Sequence, residues 1–251
     1  MLYIVGTGPG DPEQMTSRAV AAIRASEYVV GNKMYLDMLA EHIEGKELVV
    51  SHMGKEVERA TKAVELAQDH AVSIVSGGDA GVYGMASIVL EIVERSYPST
   101  TVEIVPGVTA ANAAASLLGS PLSSDFAVIS LSDLLTPWEK IDQRLNAAFS
   151  VGIPVVLYNP KSNRRPTNLA EALAIARKYL APETPVGVVK DAYRPGAQVR
   201  VTTLAAISAD DSFVDMHSTV IIGGEESRIW KEGENVKGII TPRGYDHKYV
   251  Y

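Results

Sequence analysis

The sequence predicts an α/β fold made of two α/β domains, and three observations support this prediction. Short apolar segments rich in β-branched residues recur between turn formers and are typical of strands, at 2–5, 47–50, 72–75, 102–105, 126–131, 153–158, 185–190 and 219–222. Helix-like stretches lie between them, at 13–25, 55–69, 85–94, 109–118, 137–148 and 167–179. Turn formers concentrate near mid-chain, from Gly119 to Ser124. The alternation of strands and helices favours largely parallel sheets.

The turn-rich segment at mid-chain predicts a domain boundary. We expect an amino-terminal α/β domain over residues 1–119, a carboxy-terminal α/β domain over 120–240 and a tail over 241–251. The 251 residues, 46% of them hydrophobic, are enough to bury a core in each domain.

Composition excludes several classes of protein. Because the chain has no cysteine, it has no disulfide, thiolate zinc site or cysteine nucleophile. Its five histidines show no metal-ligand spacing, so we expect no protein-bound metal. The formal net charge of -7 argues against nonspecific nucleic-acid binding. No run of about 18 apolar residues is present and the first residues enter a strand directly, which predicts a cytoplasmic protein without membrane spans.

The first candidate motif runs from Gly6 to Pro12, directly after the first strand. Its position suggests a dinucleotide-binding loop, but Asp11 stands where the third glycine of that fingerprint is needed. Pro9 and Pro12 also lack the amide donors that a phosphate requires. A tight strand-to-helix turn capped by Asp11 or Thr16 is the structural alternative.

The second motif runs from Ser76 to Met85, again directly after an apolar strand. Its four glycines indicate unusual backbone angles or close approach of a ligand, and we expect that packing alone does not explain them. Because ligands of α/β sheets bind at the carboxyl ends of strands, the backbone amides and the Asp79 carboxylate are candidate binding groups. A purely structural loop is the alternative.

Two further strand ends carry small or hydroxyl-bearing residues. The helix that follows Pro106 and Gly107 has small residues in nearly all positions of its first turns, which suits either close helix packing or a flat ligand. Ser130, Ser132 and Asp133 bring two hydroxyls and a carboxylate to the end of another strand, a set suited to a site. The alternative is that this segment only starts a helix, with its cap at the Thr-Pro pair that follows.

Cationic side chains follow two later strands. Lys161, Arg164 and Arg165 come after one, and Lys190 and Arg194 come after the other. Such a run is usually a solvated face, but around a binding site it would attract an acidic substrate.

Together these motifs resemble the tetrapyrrole methylase family, the methyltransferases of cobalamin and sirohaem synthesis. The motif order agrees from Leu2 to about Gly224: Gly-x-Gly-Pro-Gly-Asp, Ser-Gly-Gly-Asp-x-Gly-x-Tyr-Gly, Pro-Gly-Val-Thr-Ala, and Tyr-Asn at a strand end. The run from Asp125 to Trp138 resembles the branch that methylates C-17 of precorrin-3B or its cobalt counterpart. Ala80 and Ser124 depart from the family pattern, in which proline and histidine are usual.

The resemblance implies a class III methyltransferase fold with S-adenosylmethionine in a cleft between two domains. The first domain would border the tetrapyrrole, the second would complete the S-adenosylmethionine site, and S-adenosylhomocysteine would be the product. The implied cofactor contacts are Pro9, Gly77, Gly78, Asp79, Val82, Thr109, Ala110, Asn159 and Ala192. The expected contacts to the tetrapyrrole and its acidic arms are Gly8, Gly10, Asp11, Lys161, Arg164, Arg165 and Arg194.

The implied reaction is methylation of C-17 with ring contraction to precorrin-4 or cobalt-precorrin-4, carried out by a homodimer. We expect Asp133, with Ser130 and Ser132, to orient or exchange the protons that ring contraction requires. Three alternatives stay open: a methylase acting at another corrin carbon, one acting on a diphthine-type protein residue, and a non-enzymatic nucleotide-sensing α/β module.

Overall fold

The computed structural model describes residues 1–250, and the chain divides into two compact units, Met1–Ala110 and Ala111–Tyr251. The sequence placed the boundary after Gly119 instead. The division falls earlier because the helix that ends at Leu118 packs with Val156 and Val189 of the second unit. Each unit has its own five-stranded sheet.

The first unit is built around an entirely parallel sheet. Its strands run in the order β3-β2-β4-β1-β5, and all four pairings are parallel. The carboxyl ends of all five strands therefore lie at one edge of the sheet, where α/β proteins bind ligands. The elements are β1 (Leu2–Gly6), α1 (Ser17–Ala25), β2 (Tyr28–Asn32), α2 (Lys33–Met38), β3 (Glu47–Ser51), α3 (Glu56–Leu66), β4 (Val72–Ser76), α4 (Ala86–Ser96) and β5 (Val102–Val105).

The central strand β4 shows why this unit folds as a layered sheet. All five of its residues are buried, as expected for a strand covered on both faces. Alternate side chains point to opposite faces. Ile74 packs in a cluster with residues of α3 and α4, and Val75 packs in a second cluster with residues of α1. The complete burial of these small and apolar residues is thus what a strand between two helical layers requires.

The second unit has a mixed sheet. Its order is β10-β9-β11-β8-β7, and only the β7–β8 pair is parallel. The elements are α5 (Ala110–Leu118), β6 (Gly119–Ser120), β7 (Ala127–Ser130), α6 (Trp138–Ser150), β8 (Val155–Tyr158), α7 (Asn168–Ala176), β9 (Pro185–Lys190), β10 (Gln198–Thr203), α8 (Leu204–Ala209), β11 (Ser218–Ile222), β12 (Arg228–Glu232) and β13 (Asn235–Ile240).

The expectation of largely parallel sheets is therefore right for the first unit and wrong for the second. The connection from β9 to β10 spans residues 191–197 and contains no helix. A connection this short joins antiparallel neighbours, since a parallel pair needs a crossover of a dozen or more residues. The two-domain α/β fold itself is as the sequence predicted.

A small three-stranded sheet, in the order β12-β13-β6, completes the second unit. Thr241, the first residue of the predicted tail, is buried directly after this sheet. Its hydroxyl donates to the Pro121 carbonyl at 2.6 Å and lies 2.7 Å from the Ser227 hydroxyl. The start of the tail is thus fixed to the second unit.

Within residues 1–250, none of the helices combines the length and apolar character needed to span a bilayer.

Candidate active site

Three loops meet at the carboxyl edge of the first sheet. They follow β1, β4 and β5, which are neighbours because β1 lies between the other two strands. The loop after β1 is bonded to the loop after β4 through its backbone: the Thr7 amide donates to the Ser76 carbonyl and the Gly8 amide to the Gly78 carbonyl, each at 2.9 Å. The Thr7 hydroxyl adds a third bond to Ser76, at 3.1 Å.

Glycine is required here because the three loops approach one another closely. A Cβ at Gly6 would lie 2.6 Å from the Gly107 nitrogen and 2.8 Å from the Gly78 oxygen. A Cβ at Gly8 would lie 2.6 Å from the Cα of Gly78. These are backbone atoms of neighbouring loops, which cannot rotate away.

Packing also explains glycines of the second motif, against our expectation. A Cβ at Gly77 would collide with the ring of Tyr35 and lie 2.7 Å from its hydroxyl, and one at Gly84 would lie 2.6 Å from the Ala80 carbonyl oxygen. The expectation that packing alone does not account for these glycines is therefore wrong at both positions. The glycines shape the loop first, and any contact with a ligand is an additional role.

The Asp79 carboxylate joins two of the three loops. One oxygen accepts a hydrogen bond from the Gly81 amide at 2.8 Å, and the other accepts one from the Gly107 amide at 3.0 Å. Each oxygen keeps a further lone pair for a ligand. Asp79 thus fixes the spacing between the loops after β4 and β5.

Asp11 and Thr16 cap the turns that follow β1, as the structural alternative for this loop predicted. The Asp11 carboxylate accepts from the Glu13 amide at 3.0 Å, and the Thr16 hydroxyl accepts from the Ala19 amide at 3.1 Å. The neighbouring residue Pro9 is buried. The assignment of Gly8, Gly10 and Asp11 to the tetrapyrrole stays a prediction.

In the second unit, three strand ends also share one edge. β7 and β8 run parallel, and β9 runs in the same direction because both β8 and β9 are antiparallel to β11. The residues predicted after these strands therefore come to the same side of the sheet. The side-chain amide of Asn159 donates to the Ser130 hydroxyl at 2.9 Å. This bond joins a predicted cofactor contact to a predicted catalytic residue.

A second set of bonds shapes the segment after β7. The Arg165 guanidinium donates to the Ser132 hydroxyl, and the Ser132 amide donates to the Ser130 hydroxyl at 3.2 Å. The buried Asn168 side chain donates to the Leu131 carbonyl at 2.9 Å. We did not predict a role for Asn168, because an asparagine at the start of α7 gives no sign of a contact more than thirty residues away.

Asp133 does not take part in these bonds. It is exposed, and within residues 1–250 its side chain has no hydrogen-bond or ion-pair partner. The structure thus joins Ser130 and Ser132 to each other, to Asn159 and to Arg165, but not to Asp133.

The cationic residues divide into paired and unpaired groups. Lys161 binds Asp211 at 2.7 Å, Lys190 binds Asp215 at 2.9 Å, and the Arg194 guanidinium lies 3.8 Å from Asp191. Within residues 1–250, neither Arg164 nor Arg165 makes an ion pair. Arg164 is exposed, whereas Arg165 is partly buried and its Nε atom is buried without a hydrogen-bond partner. Arg165 is therefore a partly buried cation whose charge no acidic side chain of the described residues compensates.

Asp215 lies in the loop before β11. Partial burial by itself raises the pKa of this carboxyl group, but hydrogen bonds from Lys190, Ser218 and the His217 amide outweigh burial and hold the pKa below its usual value. The ion pair with Lys190 thus attaches the loop before β11 to the end of β9.

Backbone strain marks both groups of loops. Within residues 1–250, the non-glycine residues with positive φ are Tyr83 at 52°, Asn159 at 52°, Asp191 at 45° and Tyr193 at 59°. Such angles are uncommon outside glycine and cluster at ligand-binding positions. Tyr83 follows Val82, and Asp191 and Tyr193 enclose Ala192. Each strained residue therefore is, or directly adjoins, a predicted cofactor contact.

Two cavities of the second unit, of about 320 and 430 Å³, include none of the predicted site residues in their linings. No group of three or more His, Asp or Glu side chains that could hold a metal ion occurs in the described residues 1–250.

The model of the family "Tetrapyrrole (Corrin/Porphyrin) Methylases" matches residues 1–208. This chain belongs to the tetrapyrrole methylase family. The family resemblance read from the motifs is thus confirmed.

Relatives of this chain are similar along nearly its whole length. It is 43% identical over 246 residues to the probable cobalt-factor III C(17)-methyltransferase of Salmonella typhimurium, covering 98% of this chain and 99% of that one. It is 43% identical over 248 residues to the cobalamin biosynthesis protein CbiHC of Archaeoglobus fulgidus, covering 99% of this chain and 53% of the relative. The chain thus spans about half the length of CbiHC.

Solved structures share the fold. The methyltransferase CobJ superposes with a TM-score of 0.89 at 32% identity, covering 96% of this chain and 99% of CobJ. The uroporphyrin-III C-methyltransferase of Thermus thermophilus, solved with S-adenyl homocysteine, gives a TM-score of 0.66 at 26% identity, covering 88% and 91% of the two chains. The predicted fold class is therefore confirmed.

Proposed function

We propose that this chain is an S-adenosylmethionine-dependent methyltransferase that methylates C-17 of precorrin-3B or of its cobalt counterpart, with contraction of the macrocycle. The names of its relatives support this reaction. The observation that carries the proposal is the strained backbone at Tyr83, Asn159, Asp191 and Tyr193, which coincides with predicted cofactor contacts in both units. Strain of this kind persists where a ligand must be held in a defined position.

The residues present fit the cofactor. The proposed contacts in the first unit are Pro9, Gly77, Gly78, Asp79, Val82, Thr109 and Ala110, and those in the second are Asn159 and Ala192. A carboxylate such as Asp79 is a suitable acceptor for an ammonium or hydroxyl group. When bound, S-adenosylmethionine supplies a methyl group made electrophilic by its sulfonium, and leaves as S-adenosylhomocysteine.

The task of the protein is therefore alignment rather than activation of a nucleophile. Holding two reacting atoms in the correct geometry contributes on the order of 7 to 11 kcal/mol to lowering a barrier. The fixed loops of the first unit and the Asn159–Ser130 bond of the second are suited to this purpose, because each restricts its neighbours before a ligand arrives.

Charge on the substrate's acetate and propionate arms gives the cations a role. We propose that Arg165 binds one of these carboxylates, and that Arg164, Lys161 and Arg194 are further candidates. Lys161 and Arg194 already have an acidic partner, whereas Arg164 and Arg165 have none in the described residues. Of these two, Arg165 is the stronger candidate because it is partly buried and held by Ser132, whereas Arg164 is exposed.

Ring contraction requires protons to move at oxygen and carbon. We propose that the exposed Asp133 exchanges these protons, and that the hydroxyls of Ser130 and Ser132 orient the reacting groups. The bond from the Ser132 backbone amide to the Ser130 hydroxyl holds these two residues together. Asp133→Asn should then retain methyl transfer and lose ring contraction. Glu139→Gln, an exposed acid in the first turn of α6, is the control. Unchanged contraction by Asp133→Asn would refute this role.

A product assay tests the proposed function directly. The purified protein is incubated with S-adenosylmethionine and either precorrin-3B or its cobalt counterpart, and mass spectrometry and NMR locate the new methyl group. We expect methylation at C-17 with a contracted ring. A methyl group at another carbon would identify a different branch of the family. Calorimetry that detects heat with NAD or ATP, and none with S-adenosylmethionine, would support a nucleotide-sensing module. Light scattering tests the homodimer that the family resemblance implies.

A further inference from the structure

Two adjacent leucines stand out on the surface of the second unit. Leu134 is 79% exposed and Leu135 is 92% exposed. We call this pair the leucine tip. It lies in the loop between β7 and α6, at residues 131–137. Val250, near the end of the chain, is also fully exposed, and the remaining large apolar side chains of the described residues are at most 66% exposed.

The leucine tip is held by a loop that is fixed where it leaves the sheet. Leu131 is fully buried, its amide donates to the Tyr158 carbonyl at 2.8 Å, and its carbonyl accepts from Asn168 at 2.9 Å. The next residue, Ser132, accepts a hydrogen bond from Arg165. At the other end, Trp138 begins α6 and packs against the core of the unit. The two exposed leucines therefore lie on a loop that is anchored to the unit at both ends.

The chemistry beside the leucine tip indicates what covers it. Arg165, bonded two residues before the tip, has no acidic partner in residues 1–250. The exposed Asp133 stands between Ser132 and the tip in the sequence, so the tip has a carboxylate as well as this guanidinium close to it along the chain. An apolar surface with a cation near it is complementary to a ligand that is itself apolar in the middle and acidic at its margin. A tetrapyrrole with acetate and propionate arms has this character. Exposed apolar patches on soluble proteins commonly mark such binding sites.

We propose that Leu134 and Leu135 contact the macrocycle of the tetrapyrrole while Arg165 pairs with one of its carboxylates, so that the tip contributes to substrate affinity. This inference rests on the proposed function, because it takes the tetrapyrrole as the occupant. It assigns to the two leucines a role in substrate binding and none in binding the methyl donor.

The test compares a double variant, Leu134→Gln with Leu135→Gln, with a matched control, Leu48→Gln with Val50→Gln. The control also changes two exposed apolar residues, 44% and 52% exposed, on the edge strand β3. We expect the KM for the tetrapyrrole to rise about tenfold for each leucine, since burying one leucine is worth at least one such step. The dissociation constant for S-adenosylmethionine, measured by calorimetry, should stay within about twofold, and replacing both leucines by methionine should restore the KM.

A second measurement separates this inference from the proposed reaction. Titration with uroporphyrin, a stable acid-fringed macrocycle, reports binding whether or not methyl transfer occurs. We expect weaker uroporphyrin binding by the double variant than by the wild type and by the control.

If wild type and double variant bind uroporphyrin equally, with equal KM values where turnover is measurable, the leucines do not contact the macrocycle. A change in oligomeric state confined to the double variant would make the tip a subunit contact and overturn the proposal. A different result would refute the proposed function itself, namely that the wild-type protein transfers no methyl group to either corrin precursor.

Discussion

The loops at the strand ends of the first unit are joined mainly by backbone, whereas those of the second unit are joined by side chains. Gly6, Gly8 and Gly107 allow three loops to approach within distances that exclude a Cβ. In the second unit, Asn159, Ser130, Ser132 and Arg165 make the connections. Substitutions in the loops of the first unit should therefore act mainly on folding. Substitutions in the loops of the second unit should act mainly on ligand binding.

The two large sheets also differ in the direction of their strands. In the first unit every strand ends at the same edge, so backbone loops from neighbouring strands meet directly. In the second unit β11 runs antiparallel between β8 and β9, and the side-chain bonds described above join the segments after β7 and β8, the one parallel pair of this sheet.

The largest effect is expected for Gly107→Ala. The new Cβ would lie 2.7 Å from the Gly6 carbonyl carbon and closer still to the Gly78 oxygen. Overpacking against backbone should lower the free energy of unfolding by about 3 kcal/mol, measured by urea denaturation. Gly45→Ala is the control, because its Cβ would meet no atom within 4 Å and only its positive φ of 74° makes it unfavourable, by about 1 kcal/mol. Equal losses for the two variants would contradict the backbone-packing account.

Asp79→Ala should have the next largest effect, because it removes the acceptor for two backbone amides. Hydrogen bonds to a charged group contribute about 1.5 to 3 kcal/mol each, so we expect a loss of about 2 kcal/mol in this half-buried position. Asp79→Asn keeps one acceptor and should lose less. Urea denaturation of the wild type, Asp79→Asn and Asp79→Ala measures whether the free energy of unfolding decreases in this order. Wild-type stability in Asp79→Ala would show that Asp79 does not hold the loops together.

Arg165→Gln tests the side-chain character of the second group. We expect the KM for the tetrapyrrole to rise about tenfold while stability changes little, because a charged hydrogen bond to a carboxylate is worth roughly one such step. Arg164→Gln, the exposed neighbour, should change the KM less. If the two variants show the same KM as the wild type, both residues belong to a solvated face.

The smallest effect is expected from the pH dependence of Asp215. Its pKa is lowered in the folded protein from an ordinary value of 3.8, so its pair with Lys190 stabilises the fold above that pH. The contribution is lost as the pH falls through the lowered pKa. Stability measured from pH 5 to pH 2 should therefore fall more steeply for the wild type than for Asp215→Asn. Parallel curves would show that the pair does not stabilise the fold.

The sequence predicted most strands of the two large sheets, with β2 and β10 as the exceptions. β4 is recognisable because all its residues are apolar or small between turn formers. β10 was missed because its residues are half or fully exposed and include Gln198 and Arg200, which do not resemble a buried strand. β2 was missed because Gly31 and Asn32 end it directly at the next helix.

The candidate site was predicted at the level of motifs, but its contacts were not. The glycines of the second motif were interpreted as ligand-binding because their actual neighbours, Tyr35 and Gly107, lie far away in the sequence. For the same reason the sequence could not show that Lys161 is paired with Asp211, fifty residues later. Motifs reveal which residue types are present, and only the folded chain shows which of them are already occupied.

The ring of Tyr35 fills the space that a side chain at position 77 would need. These two positions are therefore expected to covary among relatives, with an aromatic residue at 35 retained only alongside glycine at 77. The same constraint predicts non-additive behaviour, in which Tyr35→Ala relieves part of the destabilisation caused by Gly77→Ala. In a relative without an aromatic residue at position 35, we therefore expect residues other than glycine at position 77.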